Sequence, residues 1–395
     1  MEVEPISGGI GPLRRAAALT FALPLLTLAA SCAASSTTAA TAAGTGPGTG
    51  TAAPVAGRAP SAANPASYVK HAGFLNSVSC VSPVDCTAVG DYYTSGAGPW
   101  LTLARHWNGR SWRIEPTPGS GHYLQLDAIS CATTKMCVAV GTMILRWDGS
   151  AWAVSRKSSP FDAVSCPTAT ECVAVGVTGG RAAIYGLWNG AAWTIRPMPA
   201  PAHAVQSLRL ASLSCAGRDF CVAVGDYSYG VGARPTPSAR DQAFAQEWDG
   251  SGWRILATPN AASWNQLNAV ACTSARVCVA VGTAAGQFPF AERWNGASWL
   301  LERVPDPSSI GYANLSAVGC WSATACMAAG SYQASAIAEA RDASGWRLIH
   351  MPTPAGAQMI QVSAVSCPAP SMCVAVGSDG TAFTEIWDGR AWTLR

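Results

Sequence analysis

The sequence predicts an all-β fold, a seven-bladed β-propeller with four antiparallel strands and one disulfide per blade. Three observations carry that expectation. A unit of about 47 residues recurs seven times from about residue 69; each copy holds two cysteines six positions apart; and six of the seven hold a turn flanked by tryptophans five positions apart. Short strands repeating at this period with no helices between copies are the mark of a propeller.

The clearest copy reads Phe161-Asp-Ala-Val-Ser-Cys166, then Cys172-Val-Ala-Val-Gly176, then Trp188-Asn-Gly-Ala-Ala-Trp193. Its apolar runs are separated by turn chemistry and read as four strands, A to D. Strand A ends at the first cysteine, which recurs as Cys80, Cys131, Cys166, Cys215, Cys272, Cys320 and Cys367. Strand B starts at the second, Cys86, Cys137, Cys172, Cys221, Cys278, Cys326 and Cys373, and runs into Val-Ala-Val-Gly or a close variant. Strand C arrives at the first tryptophan and strand D opens with the second, as Trp107/Trp112, Trp147/Trp152, Trp188/Trp193, Trp248/Trp253, Trp294/Trp299 and Trp387/Trp392. The sixth copy keeps only Arg341 and Trp346, and its Asp342-Ala343 lacks the turn glycine, so a distorted turn is expected there. In the other six, Asn-Gly or Asp-Gly supplies the positive φ of a tight hairpin. The recurring tryptophans are most simply packing between blades.

A single-Gly strand B followed by an aromatic, a turn and a tryptophan resembles a kelch-type blade, and the Gly-x-x-Trp spacing resembles the Asp-box of sialidase-type propellers. The chain departs from both, lacking the kelch Gly pair and the Ser-x-Asp of the Asp-box. Over residues 69–395 it is most similar to exported actinobacterial repeat proteins with a Cys-x5-Cys-x-Ala-Val-Gly and Trp-Asn-Gly-x-x-Trp unit. Their function is unassigned, so the resemblance implies the fold and no catalytic residue.

The segment before the repeats has its own signals. Residues 1–31 read as a lipoprotein signal peptide, with Arg14 and Arg15 preceding an apolar stretch that ends in Ala29-Ala30-Ser31. Cys32 is then the lipidation site; an ordinary cleaved signal is the alternative. Residues 32–68, rich in Ala, Thr, Gly and Pro, read as a flexible tether. The expected location is the outer face of a bacterial cell membrane, held by the lipid anchor. Such an oxidising compartment suits seven disulfides. Zinc is disfavoured because no His recurs with the repeat, and no metal or cofactor is expected.

Charged residues make up 12% of the chain and the net charge is +3. That excludes a nucleic-acid partner, which would need a basic surface, and long solvated helices. A monomer is expected. Loop lengths locate the binding face. The Cys and Trp spacings are constant, so the A–B and C–D end is uniform. From the strand-B glycine to the strand-C end the spacing runs 17, 6, 12, 23, 12, 11 and 10 residues, so the B–C and D–A end varies. Variable loops on a rigid scaffold are where binding resides. Tyr92, Tyr93, Trp100, Tyr123, Tyr227, Tyr229, Trp264, Tyr312 and Tyr332 fall there, with Phe288, Phe290, His122 and His203. At the channel mouth of the same face stand Asn76, Asp127, Asp162, Ala211, Asn268, Ser316 and Ser363, of which Asp127 and Asp162 are candidate ligand contacts. That ring suits a cation or a ligand's polar group, or else satisfies loop backbone N–H groups as turn formers do.

The functional expectation is therefore a cell-surface binding module for an extracellular glycan or envelope protein. The alternatives are a sialidase-like glycoside hydrolase and a structural spacer. No nucleophile and base, arginine cluster or Gly-x-Ser-x-Gly supports catalysis.

Overall fold

The computed structural model describes residues 73–93, 98–119, 123–201, 205–229, 240–285, 288–307 and 312–395. The expected signal segment, Cys32, the tether, His122 and His203 lie outside the described residues. The repeat forms seven four-stranded antiparallel sheets, each contiguous in sequence and ordered A-B-C-D. The inner strands are β1 (Gly73–Ser82), β5 (Leu126–Thr133), β9 (Ala163–Thr168), β13 (Val205–Gly217), β17 (Asn265–Ser274), β21 (Ala313–Cys320) and β25 (Gln361–Ala369). Each lies beside the next, and β25 lies beside β1, so the ring is closed. No blade is assembled from strands at both ends of the chain.

Strand B is buried on both faces, as in β6 (Met136–Gly141), because blades pack on either side of it. Among the described residues the buried hydrophobics fall into seven clusters, each spanning two neighbouring blades; Trp107, for example, packs with Met372, Val374 and Ile386 of the seventh. There is no separate central core. The two tryptophans of a hairpin lie opposite one another with ring centroids 5.7–6.0 Å apart in six blades. Trp107, Trp188, Trp248, Trp294 and Trp387 are all buried, which bears out their packing role.

Seven disulfides join the expected pairs, with Cα atoms 3.9–4.1 Å apart. Cys80 lies directly opposite Cys86 in the A–B register. Its N–H points away from strand B, as in a non-hydrogen-bonded antiparallel pair, and donates to Ser366 Oγ of the seventh blade (3.0 Å). The same joint recurs around the ring: Cys131 to Ser79, Cys166 to Ser130, Cys215 to Ser165 and Cys272 to Ser214, at 2.9–3.1 Å. The serine before the first cysteine thus satisfies a backbone donor of the next blade. The junction of blades seven and one is chemically identical to four others.

The hairpin turns differ from the expected tight turn. Only the glycine has positive φ, as at Gly109 (87°) and Gly389 (93°). The Asn or Asp acts through its side chain instead: Asn108 Oδ1 accepts from the N–H groups of Arg110 and Ser111 at 3.0 and 2.9 Å. Four residues rather than two separate the paired tryptophans. The sixth blade does differ, since Asp342 pairs with Gly345 and only two residues intervene.

Three glutamates are fully buried in the protein interior. Two positions before the first tryptophan, in mid-strand C, stand Gln246, Glu292, Glu339 and Glu385, all fully buried. Gln246 Nε2 donates to Pro199 O in the loop arriving from the preceding blade (2.9 Å). The three glutamates occupy the equivalent slot; neither oxygen of Glu339 or Glu385 has a hydrogen-bond partner, and Glu292 faces the Asn260 backbone N–H. Burial pushes each carboxyl up to about 8; the Asp306 charge adds to this at Glu339, and the Asn260 amide opposes it at Glu292. At neutral pH these groups are carboxylic acids, in the donor state that Gln246 holds permanently.

A folded-state value above the ordinary 4.5 means that the neutral form stabilises the fold fully below about pH 4.5 and that this contribution is lost as pH rises through about 8. Thermal unfolding followed by circular dichroism should show Tm falling across that window. Each of Glu292→Gln, Glu339→Gln and Glu385→Gln should stabilise the protein by at least about 1 kcal/mol at pH 8 and by much less at pH 5.

Candidate functional site

The loop-bearing end is built around a break in six of the seven inner strands. The A–B register slips between Leu75 and Ser77, Leu126 and Ala128, Leu210 and Ser212, Leu267 and Ala269, Leu315 and Ala317, and Val362 and Ala364. Asn76, Asp127, Ala211, Asn268, Ser316 and Ser363 are the skipped residues, so the small polar ring of the sequence is a ring of β-bulges. With Asp162 they converge on a central channel of about 210 Å³. Bulges turn a side chain out of the ladder and recur near functional sites.

Each bulge presses a carbonyl onto strand B. A Cβ added at Gly90, Gly225, Gly282 or Gly330 would lie 1.9 Å from the carbonyl oxygen of Phe74, Arg209, Gln266 or Asn314. This is the physical reason for the glycine that ends Ala-Val-Gly: the backbone opposite leaves no room for a methyl group.

The ring's hydrogen bonds correct the expectation that it serves loop N–H groups. Asn76 Nδ2 donates to Leu126 O (3.0 Å), Asn268 Nδ2 to Leu315 O (2.9 Å) and Ser316 Oγ to Val362 O, each a carbonyl of the next blade. Ala211 has no donor, and Arg209 Nη2 reaches Leu267 O instead (3.4 Å). Asp162 alone behaves as expected, accepting from Val177 N–H (3.2 Å).

Charge around the mouth is lopsided. In blades one to three, Asp91 accepts from Asn76 (3.0 Å), its second oxygen is buried without a partner, and Asp127 accepts from Gln125 (3.0 Å). Burial raises Asp91 and Asp127 to about 6 and raises Asp162, with the Asp162 and Asp91 charges adding to the effect at Asp127. Among the described residues no cation is paired with these three. Across the channel, Asp226 is balanced by Arg209, whose Nε donates to it at 2.7 Å. No group of three or more His, Cys, Asp or Glu side chains among the described residues is placed to hold a metal ion.

The expected aromatic contacts divide. Tyr123 and Tyr312 are 77% and 58% exposed, and both have positive φ, 62° and 73°. Phe288 is 39% exposed. Tyr92 is not on the surface: strand B extends to Tyr93 and is buried on both faces, which places the Tyr92 ring in the cluster between blades seven and one. Tyr93 and Phe74 both stack on Trp100, at 5.3 and 5.7 Å. Tyr227 packs edge-on to Phe244 at 5.9 Å, and Tyr332 lies against the cluster between blades five and six. Trp264 Nε1 donates to Asp241 and the ring borders a shallow cleft with Gln266 and Asn268. Tyr229 ends its strand, and its side chain lies outside the described residues. Phe290 is buried.

A rigid propeller presenting variable loops at one end is the architecture of a binding platform. No family model and no curated protein sequence matches the chain. Solved propellers resemble it in fold. The Cps50 (Swd1) propeller domain of Myceliophteria thermophila is 10% identical with a TM-score of 0.53, covering 80% of this chain and 97% of that one. YCF48 from Cyanidioschyzon merolae is 14% identical with a TM-score of 0.52, covering 80% and 95%. YCF48 bound to D1 peptide is 11% identical with a TM-score of 0.50, covering 79% and 92%. These likenesses establish the fold; the kelch-type and actinobacterial resemblances stay at the level of motifs.

Two measurements check this geometry. Gly225→Ala should destabilise the protein by about 3 kcal/mol or more, read by denaturant unfolding, because only backbone movement relieves the contact. Asp91→Asn removes a neighbouring negative charge, so the Asp127 carboxyl should titrate below its value of about 6 in carbon-detected NMR.

Proposed function

We propose that the chain is an exported, lipid-anchored module that binds a protein partner through its loop-bearing face. The observation that carries the reading is the segregation of the loops: the turns at one end are uniform, whereas the varying loops, exposed Tyr123 and Tyr312 and the uncompensated acids Asp91, Asp127 and Asp162 all gather at the other. Tyrosines at a rim offer contact area at low entropy cost, and an acidic mouth favours a basic side chain of the partner.

A protein is favoured over a glycan by the fate of the aromatic residues. Tyr92, Tyr93, Tyr227 and Tyr332 pack against neighbouring side chains, so the described residues of the face form no row of open rings that would stack a sugar chain. The YCF48 propeller bound to D1 peptide gives a precedent in the fold for peptide recognition.

The test places a photo-crosslinking amino acid at Tyr123, Tyr312 or, as a control on an outer strand, Val154, in the full chain within its native envelope. Adducts to a discrete polypeptide from the two loop positions and none from Val154 are the expected result. Adducts to glycan alone, or equal capture from Val154, would overturn it.

A further inference from the structure

The sixth blade is where six copies agree and one departs, and the departure opens a cleft. In five other blades the first tryptophan fills the rim and donates its indole N–H to a carbonyl of the A–B turn: Trp107 to Pro83, Trp147 to Thr134, Trp248 to Arg218, Trp294 to Ala275 and Trp387 to Pro370, at 3.2–3.4 Å. Arg341 reproduces that bond, Nη1 donating to Thr324 O at 3.2 Å. The hairpin is therefore held as in the other blades while the bulk of an indole is lost. In its place lies an open cleft of about 830 Å³ between blades five and six.

The cleft has more donors than acceptors. Glu302 accepts from Arg341 Nε and Nη2 at 2.7 Å, from Arg293 Nε at 3.1 Å and from Trp346 Nε1 at 2.8 Å. Four donors saturate one carboxylate. Burial would raise the Glu302 carboxyl, but the Arg341 and Trp346 hydrogen bonds and the two guanidinium charges hold it below its ordinary value, so it stays ionised. Among the described residues neither Nη group of Arg293 has a hydrogen-bond partner, and Arg303, on the cleft wall, has no ion pair. Asp342 cannot supply the missing charge: Ser344 N–H donates to it at 2.8 Å, and Arg347 faces it at 3.8 Å.

We propose that this cleft is a binding site for an oxyanion, a carboxylate or phosphate group, gripped by Arg303 and the free Nη groups of Arg293 with Trp346 as its wall. The Arg293 guanidinium is half-buried and held by Glu302, so little side-chain entropy is lost when its planar fork meets a bidentate anion. The site lies by the uniform turns and is independent of the loop face.

Fluorine NMR of the full chain labelled with fluorotryptophan tests this, with the Trp346 signal assigned through Trp346→Phe. Inorganic phosphate and acetate are titrated separately at constant ionic strength against chloride. The expected result is a saturable shift of the Trp346 signal with at least one of them, with a dissociation constant of about 1 mM. Binding should weaken at least tenfold in Arg303→Ala. In Arg341→Trp, which restores the residue of the other blades, it should vanish. Which probe saturates identifies the group. No saturable shift with either probe, the same shift with chloride, or undiminished binding in Arg303→Ala would overturn the proposal; the last holds even if Arg341→Trp does not fold.

Discussion

An inner strand of this ring has a sheet partner on one side only, and its other edge is buried against the next blade. Backbone N–H and C=O groups there have no partner within their own sheet, and the neighbouring blade satisfies several of them. The rest of the architecture follows from the two ways this is done. A serine hydroxyl before each disulfide takes an N–H, and a bulged Asn or Ser, or an arginine in its stead, reaches a C=O. Where Ala271 and Gly319 replace that serine the hydroxyl bond is missing, and blades five to seven rely more on apolar packing.

These two devices bind the recognition face to the scaffold. The bulge that offers a side chain to the next blade also turns that side chain into the channel, so Asp127 is exposed to a ligand by the same distortion that joins blades elsewhere, and Asp162 stands beside it without a bulge. It is a place where donors would be best, yet aspartates stand there. Their cost is visible as carboxyls raised by burial and mutual repulsion. Sites that violate a local rule without local compensation are where function concentrates.

The fold was largely legible because the repeat supplies seven independent samples of one pattern. Cysteine spacing, tryptophan spacing and turn glycines each recur often enough to identify strands, register and disulfides. Legibility ended where a single residue breaks the period of two. A bulge leaves no composition signal, so Asn76 and Asp127 read as turn formers and the Ala-Val-Gly glycine had no explanation. Tyr92 read as a loop residue because strand B was assumed to stop at that glycine; strand length depends on tertiary packing that a repeat motif does not encode. Glu292, Glu339 and Glu385 do carry a signal, an acid recurring two positions before the tryptophan-turn position inside an apolar run, but glutamate is so rarely buried that the signal points to a solvated face rather than to the interior.

Because every blade is one unbroken stretch of chain and the joint between the last and the first matches its neighbours, the ring holds no privileged seam. Connectivity is topologically interchangeable with respect to the blades: a circular permutant beginning at β5 or β17 would need only a linker bridging Leu394 and Gly73, and would present the same seven interfaces in the same cyclic order. What distinguishes one blade from another is then cargo carried on its edges, which is how a lineage of duplicated hairpins can acquire an acidic mouth in one sector and an arginine cleft in another without renegotiating the circle that holds both.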